Sequence, residues 1–329
     1  MAVTTADTRR TRLLIARIVA SVIMLAVLVW RVEDFDPWAV LPPRSASMVA
    51  WLLGALGLTL VAIGISAVRW KQVLLALGLE ERWRRLTSIY FAGQFVSNVL
   101  PTTIGGDVLR VARLSRDNGE TATTFASVVL ERLSGWFVLP VITLTGLALN
   151  PGLRDLGRAT TLAAAVAIAT LAALSLLLLA VSDRRVGGRF TATEGWQRFA
   201  GAVHLGVTRF RARPAAAAAV LGVGLLYQLV LVGAASMAAR ALGIVDVGPT
   251  ALLAFLPAVL IVQVLPIGIG GLGLREGALV VFLGPLGVSA EQAVALGLVL
   301  YALNMLSSVP GAPAFAFGAR DGRPADVLA

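Results

Sequence analysis

The string Leu100-Pro101-Thr102-Thr103-Ile104-Gly105-Gly106-Asp107-Val108-Leu109-Arg110 returns downstream as Leu265-Pro266-Ile267-Gly268-Ile269-Gly270-Gly271-Leu272-Gly273-Leu274-Arg275. Both copies read L-P-x-x-I-G-G-x-x-L-R, and their prolines stand 165 positions apart in a chain of 329 residues. A spacing of half the chain points to a duplicated architecture. In membrane transporters, helix breakers at matching places in two halves mark discontinuous helices around a binding site. The simpler alternative is eight plain helices with a chance recurrence of a Gly-Gly turn.

Composition makes the membrane setting firm. The chain is 58% hydrophobic and 14% charged, with a mean hydropathy of +0.85. That leaves too little polar surface to cover a water-soluble globule, so a polytopic all-α membrane bundle is expected. The net charge of +10 is almost wholly arginine, Lys71 being the single lysine. Loop arginine that fixes orientation and meets anionic lipid accounts for this charge better than nucleic-acid binding does. The absence of cysteine excludes disulfides and thiolate metal sites, and neither a cofactor nor a metal is expected. His204, the sole histidine, stands among Arg198, Arg209, Arg211 and Arg213, so it reads as a solvated or headgroup-facing side chain rather than a catalytic base.

In chain order, Leu13 to Trp30 reads as a first span behind Arg9, Arg10 and Arg12, uncleaved rather than a twin-arginine signal. A loop with Glu33, Asp34, Asp36 and three prolines follows, then a second span from Ala46 to Val68. Arg69, Trp70 and Lys71 close it as an interfacial group, and Trp70 to Leu86 suits a surface helix. Thr87 to Ile104 is short, interrupted and flanked by basic clusters on both sides, which predicts a re-entrant segment. Thr121 to Leu149 is a long span with Pro140 as a kink, and Ala159 to Ser182 returns. A basic amphipathic stretch, Thr193 to Arg213, precedes a span from Pro214 to about Ala239. Pro249 to Ile269 and the half-helix Leu274 to Leu286 repeat the broken element, and Ser289 to Phe317 is the last span.

The expected fold is therefore about six full spans plus two re-entrant broken helices. Residues 1–150 form one repeat, 151–318 a second, and 319–329 a cytoplasmic tail. Only Arg31, Arg44, Arg154, Arg158 and Arg240 fall outside, so both termini are placed in the cytoplasm. Three crossings per half is odd, so the second half is inverted about an axis in the membrane plane.

Chemistry concentrates at the broken elements. A Pro, a Gly-Gly pair and then a new helix carrying Arg present backbone N–H groups, a positive dipole end and a guanidinium, which together suit an anion such as phosphate. Asp107 either caps the first half-helix or pairs with an embedded arginine. Glu131 and Arg132 are costly in hydrocarbon unless they face the bundle interior. Adjacent helical residues diverge by about 100°, so each seeks a separate partner, for Glu131 either Arg110 or Arg275. Glu276 adds a carboxylate beside the second copy. A purely structural charge network is the competing account.

Three motifs in order carry a resemblance: Gln94-x3-Asn98-x2-Pro101-x3-Gly105-Gly106-Asp107-x2-Arg110; Ala126-Ser127-Val128-x2-Glu131-Arg132-x2-Gly135; and Gly270-Gly271-x-Gly273-x-Arg275-Glu276-Gly277. Over nearly the whole chain the sequence resembles the flippase-like lysylphosphatidylglycerol synthase transmembrane family. The resemblance implies a multispan inner-membrane protein that translocates lipids or lipid-linked intermediates. It makes Asn98, Asp107, Arg110, Glu131, Arg132, Arg275 and Glu276, with Gly105, Gly106, Gly270 and Gly271, the substrate-binding candidates. No soluble aminoacyl-transferase domain follows Phe317 here, so lysyl-lipid synthesis by this chain is not expected.

Two function classes remain at this stage. A flippase that binds a phospholipid or polyprenyl-linked headgroup is favoured, and it is a transporter rather than an enzyme. The alternative is a multispan polyprenyl-phosphate-dependent glycosyltransferase, for which Glu33, Asp34 and Asp36 would be the acidic residues of a first external loop. A non-transporting partner of a cytoplasmic lipid-modifying enzyme is a third reading. Nothing resembles a nucleotide-binding loop.

Overall fold

In the computed structural model, the described residues are 45–99, 105–182, 195–265 and 270–318, together with Val19. They form helices without strands. In chain order these are α1 (Ala46–Leu77), α2 (Trp83–Val99), α3 (Gly105–Asn118), α4 (Thr121–Leu149), α5 (Arg158–Ser182), α6 (Gly195–Ala212), α7 (Pro214–Ala241), α8 (Pro249–Gln263), α9 (Leu274–Leu283), α10 (Ala290–Ser308) and α11 (Gly311–Phe317). Among the described residues, five segments are long and apolar enough to cross a bilayer: α1, α4, α5, α7 and α10 continued by α11. Apart from Val19, the first expected span lies outside the described residues, as do the acidic loop after it and the tail.

Local signals set the boundaries. Ser45 caps α1 through its hydroxyl, which accepts the Met48 N–H at 3.1 Å. Gly78 ends the helix in the left-handed region at φ 91°, while the Leu79 N–H returns to the Leu74 carbonyl. At 1.5 Å per residue a helix of 32 residues is about 48 Å long, well beyond the ~30 Å hydrocarbon layer. This corrects the expected surface helix from Trp70 to Leu86. Trp70, Val73 and Leu74 continue α1 and are fully buried: Trp70 and Leu74 cluster with Leu86 of α2, Leu114 of α3 and Val128 of α4, and Val73 with Ala126 of α4, Ala202 of α6 and Val220 of α7. Trp70 is thus a core residue, donating its indole N–H to the Ser127 hydroxyl at 2.9 Å. The helix α4 runs unbroken through Pro140.

Each expected broken element is a helical hairpin, α2 with α3 and α8 with α9. The elements also recur near the spacing of the repeated string. Shifted by 165 positions, α1, α2, α3 and α4 fall on α7, α8, α9 and α10–α11 to within a few residues.

The halves exchange partners across the bundle. The helix α8 packs on α4, while its counterpart α2 packs on α11 and α10. Both junctions depend on a glycine. A Cβ at Gly146 would lie 2.5 Å from the Ala254 amide nitrogen, and one at Gly311 would overlap the Phe91 carbonyl. These two glycines are themselves 165 positions apart. Along the middle, α1 lies against α7 over most of its length, and a large apolar cluster of α7, α8, α9 and α10 forms the core beside it.

Candidate functional site

Glu131, on α4, is 1% exposed and joins three helices. Its Oε1 accepts from Arg69 of α1, whose Nε lies at 2.9 Å, with Nη2 as a second donor. Its Oε2 accepts from Arg110 Nη1 of α3 at 3.1 Å. A buried carboxylate needs this many charge-assisted donors, because a lone charge in a low-dielectric interior is strongly penalised.

Arg110 is further held between aromatic faces. Its guanidinium stands 4.3 Å from the Trp70 ring and 4.3 Å from the Tyr90 ring. Asp107 pairs with Arg132 of α4 and reaches Arg110 at 3.4 Å, so of its two sequence readings the ion pair is present. The α2–α3 hairpin that carries these residues closes on glycine. A Cβ at Gly106 would overlap the Gly93 carbonyl, and the Gly106 N–H is taken by the Ser97 hydroxyl at 3.2 Å. Gly105 begins the same helix.

The second copy is arranged differently. Gly270, Gly271 and Gly273 take φ of 61°, 76° and 83°, a left-handed turn that side chains resist. Glu276, fully buried, accepts the Gly273 N–H at 2.7 Å and pairs with its neighbour Arg275, whose Nε lies at 3.1 Å. Arg275 therefore takes Glu276 as its partner and not Glu131. Its guanidinium lies 5.4 Å from the Tyr301 ring centre.

Between the hairpins lies a cavity of about 330 Å³. The first half contributes Arg69, Gln94, Glu131 and Arg132, and the second contributes Gln228, Gln263, Arg275 and Asn304. Among the described residues, several lining atoms are buried without a protein partner: Arg69 Nη1, Gln228 Oε1 and Gln263 Oε1. Such atoms carry a desolvation cost unless something polar enters beside them. The rim of amides is partly self-paired, Gln94 donating to Asn304 Oδ1 at 2.8 Å and Asn98 to the Asn304 carbonyl at 3.2 Å.

The same three motifs therefore converge on one cavity, and the family model for the lysylphosphatidylglycerol synthase TM region matches residues 14–311. The chain belongs to this family. It is a multi-pass membrane protein, and its family motifs line or adjoin the cavity. The chain is also similar to the glycosyltransferase AglD of Haloferax volcanii, at 27% identity over 342 aligned positions. That match covers 92% of this chain and 54% of the relative, so the chain spans about half the length of the curated relative it matches.

Among the residues singled out from sequence, Glu131, Arg132 and Arg275 line the cavity. Asp107, Arg110 and Glu276 stand behind them as ion-pair partners, and Asn98 holds the rim. Gly270 and Gly271 shape the second hairpin.

Sequence reasoning missed Arg69, which is buried and lies in the cavity lining. The apolar pattern running on through Val73, Leu74 and Leu77 to Gly78 was the available signal that the helix did not stop at Arg69. Gln263 was a second omission. It precedes Pro266 as Asn98 precedes Pro101, so the repeated string extends back to a matched pair of amides. His204, half-buried, makes a hydrogen bond of 2.8 Å between its Nδ1 and the Val181 carbonyl.

Proposed function

We propose that this protein translocates a lipid or lipid-linked intermediate, binding an anionic headgroup between the two hairpins while the tails stay in the bilayer. The observation that carries this reading is the convergence of Arg69 and Arg275, from different halves, on one cavity with unpartnered polar atoms. Charge supports it as well. Arg69, Arg110, Arg132 and Arg275 stand against Asp107, Glu131 and Glu276, leaving one positive charge that an anion would balance. Arg275 has the planar fork suited to phosphate, and the half-exposed Arg132 is reachable by a ligand.

In this scheme the hairpins are related by an in-membrane two-fold axis, and each opens the cavity to one side in turn. Both termini lie in the cytoplasm of an inner-membrane protein. No cofactor is required, and a cytoplasmic lipid-modifying enzyme is the natural partner. The test is a headgroup-accessibility assay in proteoliposomes. Arg275→Ala, with Arg275→Lys keeping a positive charge beside Glu276, should slow flipping while elution on size exclusion is unchanged. Wild-type flipping by both variants would overturn the site.

A second reading, glycosyl transfer from a polyprenyl phosphate, draws on the name of the Haloferax relative. Glu33, Asp34 and Asp36, which it would use, lie outside the described residues. Glycosyl transfer lost on Asp34→Asn and Asp36→Asn but kept on Arg275→Ala would favour the enzyme.

A further inference from the structure

A second cavity, of about 580 Å³, lies on the other face of α4. Its walls are apolar and come from four helices: Leu133 and Phe137 of α4, Leu177 of α5, Phe210 of α6, and Ala217 and Leu221 of α7. One charged side chain, Arg211, stands in its lining, at the turn where α6 ends and α7 begins. Arg209 and Arg213 flank it, all three are exposed, and among the described residues none of them forms an ion pair.

The medium around this groove is the bilayer. The helix α5 has a mean hydropathy of 2.6 over its most apolar stretch, of which only 11% is buried inside the protein, and for α7 the figures are 2.2 and 22%. These surfaces need hydrocarbon against them, and a water-filled apolar groove at this place would forgo that gain. A polar end of matching charge is set at the mouth. Basic residues at a membrane surface draw anionic lipid, and guanidinium pairs well with phosphate.

We propose that the α4–α5–α6–α7 groove is a binding site for one anionic phospholipid, with an acyl chain along Leu133, Phe137 and Leu177 and the phosphate on the Arg209, Arg211 and Arg213 turn. This site is separate from the headgroup cavity, and α4 is the wall between them. Leu133 and Phe137 face the groove, while Glu131, Arg132 and Trp136 line the polar cavity. A lipid in the groove thus presses on the helix that carries Glu131, which makes it a structural or regulatory lipid.

Native mass spectrometry of the detergent-solubilised full chain, titrated with phosphatidylglycerol or phosphatidylcholine, tests this. One phosphatidylglycerol should bind in preference to phosphatidylcholine. Neutralising the turn with Arg209→Gln, Arg211→Gln and Arg213→Gln should lower phosphatidylglycerol affinity by about fivefold for each arginine and remove the preference. Ala217→Trp, which fills the groove, should weaken both lipids alike, and Arg240→Gln, at an exposed arginine that lines neither cavity, should leave the preference in place. A preference that survives in the triple variant, or is lost in Arg240→Gln instead, overturns the proposal. So does unchanged lipid binding by Ala217→Trp at a wild-type elution volume.

Discussion

Arg110 and Arg275 occupy the same position in the two copies of the repeated string, yet Arg110 is fixed between Trp70, Tyr90 and Glu131 while Arg275 lines the cavity. The difference follows from what each hairpin meets. The first packs on the end of α1, which supplies Trp70 and Arg69, and the second pairs its arginine within its own first turn, through Glu276. One copy of the motif has become scaffold, and the other is left facing the space between the halves.

This asymmetry predicts a split between two lysine variants. Lysine keeps the charge but loses the planar fork and much of the stacking. Arg275→Lys should weaken headgroup binding roughly tenfold, the lower end of what a hydrogen bond to a charged group contributes, with little change in melting temperature. Arg110→Lys should do the reverse, lowering the melting temperature while cavity affinity changes less. Binding and thermal unfolding measured on the same preparations decide it.

Glu131→Gln should be among the most destabilising single changes in the chain. It leaves the buried guanidiniums of Arg69 and Arg110 facing each other without their shared carboxylate. Breaking a buried pair typically costs about 3–5 kcal/mol, a fall of roughly 10 °C at about 2–4 °C per kcal/mol. In a double-mutant cycle, Glu131→Gln with Arg110→Gln should cost clearly less than the two single changes added together.

Close approach of backbones should make the junction glycines intolerant of even a methyl group. Gly106→Ala, Gly146→Ala and Gly311→Ala each place a Cβ against backbone of a neighbouring helix. Overpacking of this kind costs about 1–3 kcal/mol. Gly222, a helical glycine with open space where its Cβ would stand, is the control, and Gly222→Ala should be neutral or stabilise by about 0.5–1 kcal/mol. Melting temperatures of the four variants are the readout. Equal values for all four would remove the case for tight helix crossing.

Gly271→Ala should act through backbone strain. Its φ of 76° lies in the left-handed region, and the added Cβ would come 2.9 Å from the Gln263 Cβ. Strain of this kind costs on the order of 1–3 kcal/mol. Because the turn positions Arg275, loss of headgroup affinity should accompany the loss of stability, whereas Gly106→Ala should affect stability alone.

The sequence by itself determined the class of the protein, most of the places where helices start and stop, though not the end of α1 at Leu77, and the two broken elements. These are local properties: about twenty apolar residues suffice for a span, and Ser45, Gly78 or the Gly270-Gly271-Gly273 run act on the few residues beside them. It also carried Glu131, Arg132 and Arg275, because charge inside an apolar run demands an interior partner. Which partner was decided only by tertiary structure. Arg69 meets Glu131 across 62 positions, and Gln94 meets Asn304 across 210, so no local pattern could pair them. The exchange of hairpins between the halves, closed by Gly146 and Gly311, likewise depends on how near two backbones can come. That same packing left Arg275 lining the cavity and closed Trp70 and Tyr90 around Arg110.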